Sequence, residues 1–364
     1  MTFDLVLAGF GNVARRFVSL AAERSPVLER EHALRLRLVG IATHRHGCVV
    51  NAAGLDGGAA LEAYGSRDGL TRLAGDGTGA EAATGVIDAI TRASASRGDH
   101  PMVLLETTTL DVRHGEPATS HVRAALAAGL HVVTANKGPV ACHYRTLREE
   151  ADGRGLAFLC EGTVLDGIPV FSLVRETLPA VRVTGFRGVL NTTANFILSE
   201  MEDGLPFAAA LAKMQAAGIA EADPSLDVDG WDAAAKAAAL ANVLMDAELT
   251  PAAVDREGIT AVTGAAVAGA RAQGRRLKLV SSGWSDARGV HARVAPEPVP
   301  IDSVLGQLRG VDNAITLHTD LLGDITIVEH GGHLTHTAYA LLSDLVALRR
   351  RLRARHAAPV HRDL

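Results

Sequence analysis

Between Gly218 and Lys236 the chain reads GIAEADPSLDVDGWDAAAK, setting Glu221, Asp223, Asp227 and Asp229 on a loop punctuated by Pro and Gly. Asp232 and Lys236 follow four residues apart at the head of an Ala-rich segment, a spacing that puts carboxylate and ammonium on one helical face. Such a pair on a solvated helix is ordinarily a weak ion pair. Here the run from Ala233 to Leu244 is too apolar to face water, so the pair leads into a buried helix and has a ligand to meet. A second lysine, Lys137, stands in Ala135-Asn136-Lys137-Gly138-Pro139, directly after the apolar run His131 to Thr134. A lysine at the mouth of a parallel sheet, followed by a Gly-Pro break, is a candidate for catalysis in the ligand crevice.

These groups need a scaffold that brings them to one crevice. Phe3 to Ala8 reads as a buried strand, and Gly9-Phe10-Gly11-Asn12-Val13-Ala14 opens a helix. Strand, G-x-G-x-x-A and helix form the context of a dinucleotide-binding fingerprint. Gly9 permits the tight turn, Gly11 admits a pyrophosphate close to backbone, and the amides of Asn12 and Val13 open the helix toward it. A second strand, Leu36 to Ala42, ends in Thr43-His44-Arg45-His46. Where a carboxylate would hold the ribose of NAD, this chain has Thr43 and then Arg45, which leans toward the 2′-phosphate of NADP.

A third strand, Met102 to Glu106, delivers Thr107 and Thr108 to the same edge, in reach of the nicotinamide end of a cofactor. Glu81 to Arg92 and Thr119 to Ala128 read as helices, and Tyr144 to Ala151 as the helix before a strand at Ala157 to Cys160. Farther on, Val181 to Leu190, Leu277 to Ser281 and Val290 to Val294 read as strands of a second sheet, and Thr335 to Leu352 as an amphipathic helix returning to the first domain.

Composition removes several classes. A net charge of −5 without a basic block, together with 4% aromatic residues, argues against a nucleic-acid surface. No apolar run reaches the roughly 18 residues of a membrane span, and the chain enters a strand at once without a signal-like segment. A cytoplasmic enzyme of small-molecule chemistry is the expectation. Three scattered cysteines indicate neither disulfides nor structural zinc. His44 with His46, and His330, His333 and His336, are not read as metal sites, because no partner ligands are placed for them.

Taken together, the motifs resemble the homoserine dehydrogenases, and the resemblance runs from Gly9 to about Leu348. Its specific parts are Thr134 to Pro139, Glu161-Gly162-Thr163-Val164 with Gly167-Ile168-Pro169, Asn191-Thr192-Thr193-Ala194-Asn195-Phe196-Ile197-Leu198, and Gly218 to Lys236. The resemblance implies NAD(P)-linked interconversion of L-aspartate 4-semialdehyde and L-homoserine in threonine and methionine biosynthesis. It implies that Lys137 and Lys236 are the catalytic pair, at least one exchanging the proton of the C4 hydroxyl, with a neighbouring cation lowering the pKa of each. Glu221 and Asp232 would hold the substrate ammonium, with Asn195 and Thr163 lining the pocket. Gly9, Gly11, Asn12, Val13, Arg45, Thr107, Thr108, Asn136 and Lys137 would bind the cofactor. The carbonyls of Val164, Asp166 and Ile168, with Glu161, match the family's site for a monovalent cation such as sodium.

Two departures bear on the pocket. Thr192 stands where the family keeps Gly, and Glu329-His330-Gly331-Gly332-His333 replaces a smaller Gly-rich turn over the cofactor. No sensing domain follows, so feedback by threonine through one is not expected. The expected architecture is α/β. A Rossmann-type doubly wound parallel sheet occupies 1–138, closed by the C-terminal helix at about 335–364, and an α+β domain for substrate, catalysis and dimerisation occupies 139–334. The alternatives are a dehydrogenase of another amino alcohol or aminoaldehyde and a catalytically silent NADP-binding sensor. A homodimer is expected.

Overall fold

The computed structural model describes residues 1–66, 68–74, 79–216 and 223–357. The apolar runs of the first part form seven strands: β1 (Thr2–Ala8), β2 (Arg35–Ala42), β3 (Cys48–Val50), β4 (Glu81–Ala83), β5 (Met102–Glu106), β6 (His131–Thr134) and β7 (Phe158–Leu159). They lie in the order β4-β3-β2-β1-β5-β6-β7. The strands β2, β1, β5, β6 and β7 run parallel, whereas β3 and β4 are antiparallel additions at one edge. Because β1 has β2 on one side and β5 on the other, strand order reverses there. The carboxyl ends of β1 and β5 therefore open onto the crevice where ligands bind in such sheets.

Three expectations move. The stretch Glu81 to Arg92 is not one helix: Glu81–Ala83 pairs with β3, and a helix starts only at Val86 and runs to Ala95. The chain does not break at Gly138-Pro139, since the helix Lys137–Asp152 begins there. Asn136 caps it, its side-chain oxygen accepting from the Gly138 amide at 2.9 Å, and Pro139 falls in the first turn, where no intrahelical N–H is needed. Finally β7 belongs to the first sheet, which thus extends past the boundary placed at residue 138.

The second sheet holds six strands: β8 (Val183–Val189), β9 (Asp255–Arg256), β10 (Arg275–Asp286), β11 (Gly289–Pro300), β12 (Asn313–Thr319) and β13 (Gly323–Glu329). Their order is β13-β12-β8-β10-β11-β9, antiparallel except for β11 with β9. The Ala-rich helix Trp231–Leu244 packs between this sheet and the helix Lys137–Asp152. Alanines 233–235 and 237–239 are all buried, which lets the backbones approach closely. Its Asn242 donates to the carbonyls of Val140 and Ala141, both at 3.2 Å, just before the kink at His143 in the neighbouring helix. That bond set pins the first turn of the helix carrying Lys137 to the helix carrying Asp232 and Lys236.

The C-terminal helix Leu334–Ala357 returns to the first sheet as expected. Its Ala338, Leu341, Leu342, Leu345 and Leu348 are buried with Phe3, Leu5, Phe17 and Leu159 in one apolar cluster. Among the described residues, no helix is long and apolar enough to cross a membrane.

Candidate active site

Gly9 follows β1 at φ 88°, and a Cβ there would lie 2.8 Å from the Thr107 carbonyl oxygen. Only glycine fits, so the ends of β1 and β5 close against each other. The helix Asn12–His32 then starts at Gly11 with no side-chain cap, and its first amides remain available to an anion at the mouth of the crevice. This cradle fits a dinucleotide pyrophosphate.

At the end of β2, Thr43 is occupied by its own turn, donating to Gly47 O at 3.0 Å and accepting from the His46 amide at 2.8 Å. Arg45 is exposed beside it. Tyr64 is sandwiched nearby, with the Arg15 guanidinium 4.4 Å from its ring and the His46 ring 4.2 Å away.

A cleft of about 250 Å³ lies past these ends, lined by Val13, Thr107, Thr108, Asn136, Lys137, Thr163, Val164, Asp166, Lys236 and Thr337, among others. Residues far apart in the chain thus meet at one surface. Lys137 Nζ lies 3.2 Å from Asp232 Oδ1, and Lys236 Nζ 3.3 Å from Asp232 Oδ2. Lys236 also donates to the Leu190 carbonyl at 2.6 Å.

Burial alone would raise the pKa of Asp232, but the fields of Lys236 and Lys137 outweigh it and hold this carboxyl well below its ordinary range. Burial likewise pushes Lys236 down, yet Asp232 and Asp166 reverse that, and its pKa is raised. The expected lowering of the lysine by its partner is therefore corrected: the carboxylate between the two cations sets the sign for Lys236.

Several sequence candidates land elsewhere. Asn195 is fully buried beneath the site; its amide donates to Gly310 O and Asp312 O, and its oxygen accepts from Lys278 at 2.7 Å. It does not line the cleft. The Glu161 carboxylate is taken up by the amides of Val170, Phe171 and Ser172 at 2.6, 2.9 and 2.6 Å. Its side chain is thus a helix cap rather than a ligand. Thr163 does line the cleft, with its hydroxyl donating to Cys160 O at 2.8 Å. Ile168 faces a different groove, between the helix Asn12–His32 and the C-terminal helix. Asn136 reaches the cleft while its amide nitrogen ties down Thr108 O at 3.0 Å. Glu221 lies outside the described residues.

Asn191 and Thr193 belong to the 191–198 stretch that carried the resemblance, whereas Asp227 and Glu106 were given no role of their own from sequence. Asn191 bridges Asp227 Oδ1 at 2.7 Å and Asp232 Oδ2 at 2.9 Å, and Thr193 donates to Asp227 Oδ2 at 2.9 Å. Burial and the Asp232 charge raise the Asp227 pKa. Glu106, fully buried, accepts from the Thr108 hydroxyl and from the Thr108 amide at 3.2 Å, fixing the loop that follows β5. The acidic loop pointed at Asp227 only as a member of a cluster. Nothing in the apolar run before Glu106 marked it.

Two family models match the chain: the NAD-binding domain of homoserine dehydrogenase over residues 9–161 and homoserine dehydrogenase over residues 169–346. An NAD(+)-dependent homoserine dehydrogenase of Pseudomonas canavaninivorans is 38% identical over 345 residues, 94% of this chain and 95% of the relative. The homoserine dehydrogenase of Methanocaldococcus jannaschii is 33% identical over 344 residues, 94% of this chain and 97% of the relative. Among solved structures, a homoserine dehydrogenase from Thiobacillus denitrificans superposes with a TM-score of 0.80 at 29% identity, covering 99% of this chain and 76% of that one. A hyperthermophilic archaeal homoserine dehydrogenase in complex with NADPH gives 0.78 at 27% identity, covering 96% and 98%.

Proposed function

The chain belongs to the homoserine dehydrogenase family, and on that premise we propose that it interconverts L-homoserine and L-aspartate 4-semialdehyde, with Lys137 and Lys236 handling the proton. It is an NAD(P)-linked oxidoreductase of aspartate-derived amino-acid metabolism. When bound, the nicotinamide supplies or receives the hydride. The chain's own residues must hold the substrate and move the hydroxyl proton. Asp232, set between two ammonium groups, exchanges one of these contacts for the substrate ammonium, with Glu221 assisting; the lysine so released loses the field that held its proton, gives that proton to solvent, and as the neutral amine takes the C4 hydroxyl proton.

The observation that carries this reading is the convergence of Lys137 and Lys236 on the two oxygens of Asp232 at the wall of the cleft. The test is absorbance of the reduced nicotinamide with L-homoserine and NADP or NAD. Lys137→Ala and Lys236→Ala should each lower kcat/KM by about a hundredfold or more, with cofactor affinity unchanged in Lys236→Ala. Cofactor binding without turnover of either compound would overturn it, and turnover of another amino alcohol would shift the substrate assignment.

We further propose a preference for NADP, supported by the occupied hydroxyl of Thr43 and the exposed Arg45 at the end of β2. Arg45→Ala should then raise KM for NADP more than for NAD. The carbonyls of Val164, Asp166 and Ile168, with Glu161, would hold a monovalent cation, which activity titrated with sodium against a bulky organic cation tests. Exposed Trp284 and Val328 on the second sheet, with Leu321 and Leu322 in the turn between β12 and β13, support a homodimer through that sheet, read by sedimentation.

A further inference from the structure

Asp166, Glu329 and His336 come together from two segments distant in sequence, and each offers a ligand atom within 4.8 Å of the others. Asp166 sits in the loop after β7 with left-handed backbone, φ 44°, and Glu329 ends β13. His336 lies in the first turn of the C-terminal helix. The sequence set His336 aside for want of carboxylates; the fold supplies two. The loop is pressed onto this turn, because a Cβ on Gly167 would overlap the His336 carbonyl.

The charge arrangement is unbalanced. Glu329 is 2% exposed and faces Asp166, and among the described residues neither carboxylate forms an ion pair with lysine or arginine. Among the described residues, the partners of the Glu329 carboxylate are the His336 Nδ1 at 3.2 Å and, at a long 3.5 Å, the amide of Asn313. Two carboxylates this close, one of them buried, are costly without a cation between them.

Two further observations point to a ligand. Asn313, 4% exposed and directly opposite Glu329 across the β12–β13 ladder, has a buried side-chain oxygen with no hydrogen-bond partner among the described residues. Gly332 leaves space where any other residue would fill it: the Cβ position lies 2.9 Å from Asp166 Oδ2 and close to the Glu329 carboxylate, 3.2 Å from its Oε2. Oxygens of both carboxylates thus face the side-chain-free Gly332, and the His336 ring offers a nitrogen within 4.8 Å of both groups.

We propose that Asp166, Glu329 and His336 form a site for a divalent first-row ion such as Zn²⁺ or Mn²⁺. Two carboxylates and one imidazole match the charge and donor preference of such an ion. Its side-chain donors differ from those of the monovalent-cation site, which rests on the carbonyls of Val164, Asp166 and Ile168. Because Asp166 and Thr337 also line the catalytic cleft, the ion would lock the turn 329–336 against the loop 161–169 at the edge of the active site.

The test is calorimetry on the full chain, first stripped with EDTA, with ZnCl₂, MnCl₂ and CoCl₂, in the absence of substrate and cofactor. The expected result is one equivalent bound per chain, a rise in Tm, and a visible absorption band with Co²⁺. Affinity should fall about tenfold or more in Glu329→Gln and in His336→Asn. His336 is partly exposed, so that variant keeps the test open should Glu329→Gln fail to fold. No saturable binding by the wild type, or equal binding by folded His336→Asn, overturns the site. Neither outcome touches the dehydrogenase assignment, because binding is read without turnover.

Discussion

Lys137, at the first position of a helix that follows a strand of the first sheet, places its ammonium 3.2 Å from Oδ1 of Asp232 on a helix packed under the second sheet. The contact crosses from one domain to the other and joins two halves of the proposed catalytic apparatus. It also explains why Asp232 stays ionised despite its burial, since Lys236 and Lys137 together outweigh the cost of desolvation.

Asp232→Asn should remove the largest influence raising the Lys236 pKa. The expected outcome is a fall in kcat/KM for homoserine of about a hundredfold, with the basic group of the residual pH–rate profile displaced to lower pH. An unshifted profile would mean that Lys236 is not the group being read.

Asn191 both caps the helix Thr192–Glu202, accepting from the Ala194 amide at 2.8 Å, and bridges Asp227 to Asp232. Asn191→Ser keeps a good cap and loses the bridge. Thermal stability should stay within a few degrees, while KM for homoserine rises about tenfold. A large drop in Tm with unchanged KM would assign Asn191 to folding alone.

Asp344, buried in the C-terminal helix, accepts from the Glu161 amide at 2.9 Å. Burial and the Glu161 charge push its pKa up to about 7. A folded-state pKa above the unfolded carboxyl value means the native state binds the extra proton. Stability from this group is present below about pH 4 and is lost as pH rises toward 7. Asp344→Asn should therefore match the wild type in urea near pH 4 and exceed it at pH 8, by on the order of 2–4 kcal/mol. A wild-type advantage at pH 8 would refute this.

Lys278, 1% exposed, donates to Asn195 Oδ1 at 2.7 Å and is pushed down to about 8, chiefly by burial. Here the native state releases its proton first, so stability from this group increases as pH rises from about 8 toward 10.5. In Lys278→Met that increment should vanish. Parallel urea midpoints for the two proteins between pH 8 and 10 would contradict it.

Gly9→Val tests the crevice itself. A branched side chain at φ 88° against the Thr107 carbonyl should destabilise the protein by about 2 kcal/mol or more and abolish dinucleotide binding. Retained cofactor binding by a folded variant would remove the pyrophosphate from this turn.

Local patterns carried much of the architecture. The apolar runs ending at Ala8, Ala42, Glu106 and Thr134 are buried parallel strands, and Gly9 and Gly11 sit between strand and helix, because a strand's burial and a turn's steric demand are properties of contiguous residues. Motif order likewise led to Lys137, Asp232 and Lys236. The acidic loop and the buried Ala run are local too, and they singled out Asp232 with Lys236 before any partner was known. Other features depended on contacts between distant segments. Asn195 has the composition of a pocket residue, but Lys278, 83 positions later, claims its oxygen. Glu161 has the composition of a ligand, but the fold turns three backbone amides toward it. Lys236 reads as a base with a lowered pKa until the fold brings Asp166 within range, adding to the pull of Asp232 one turn earlier. His336 has no carboxylate partners until a loop 170 residues earlier and the end of β13 fold onto it. Charge and hydrogen-bond partners act through space over a few ångströms, and only tertiary packing determines which groups occupy that distance.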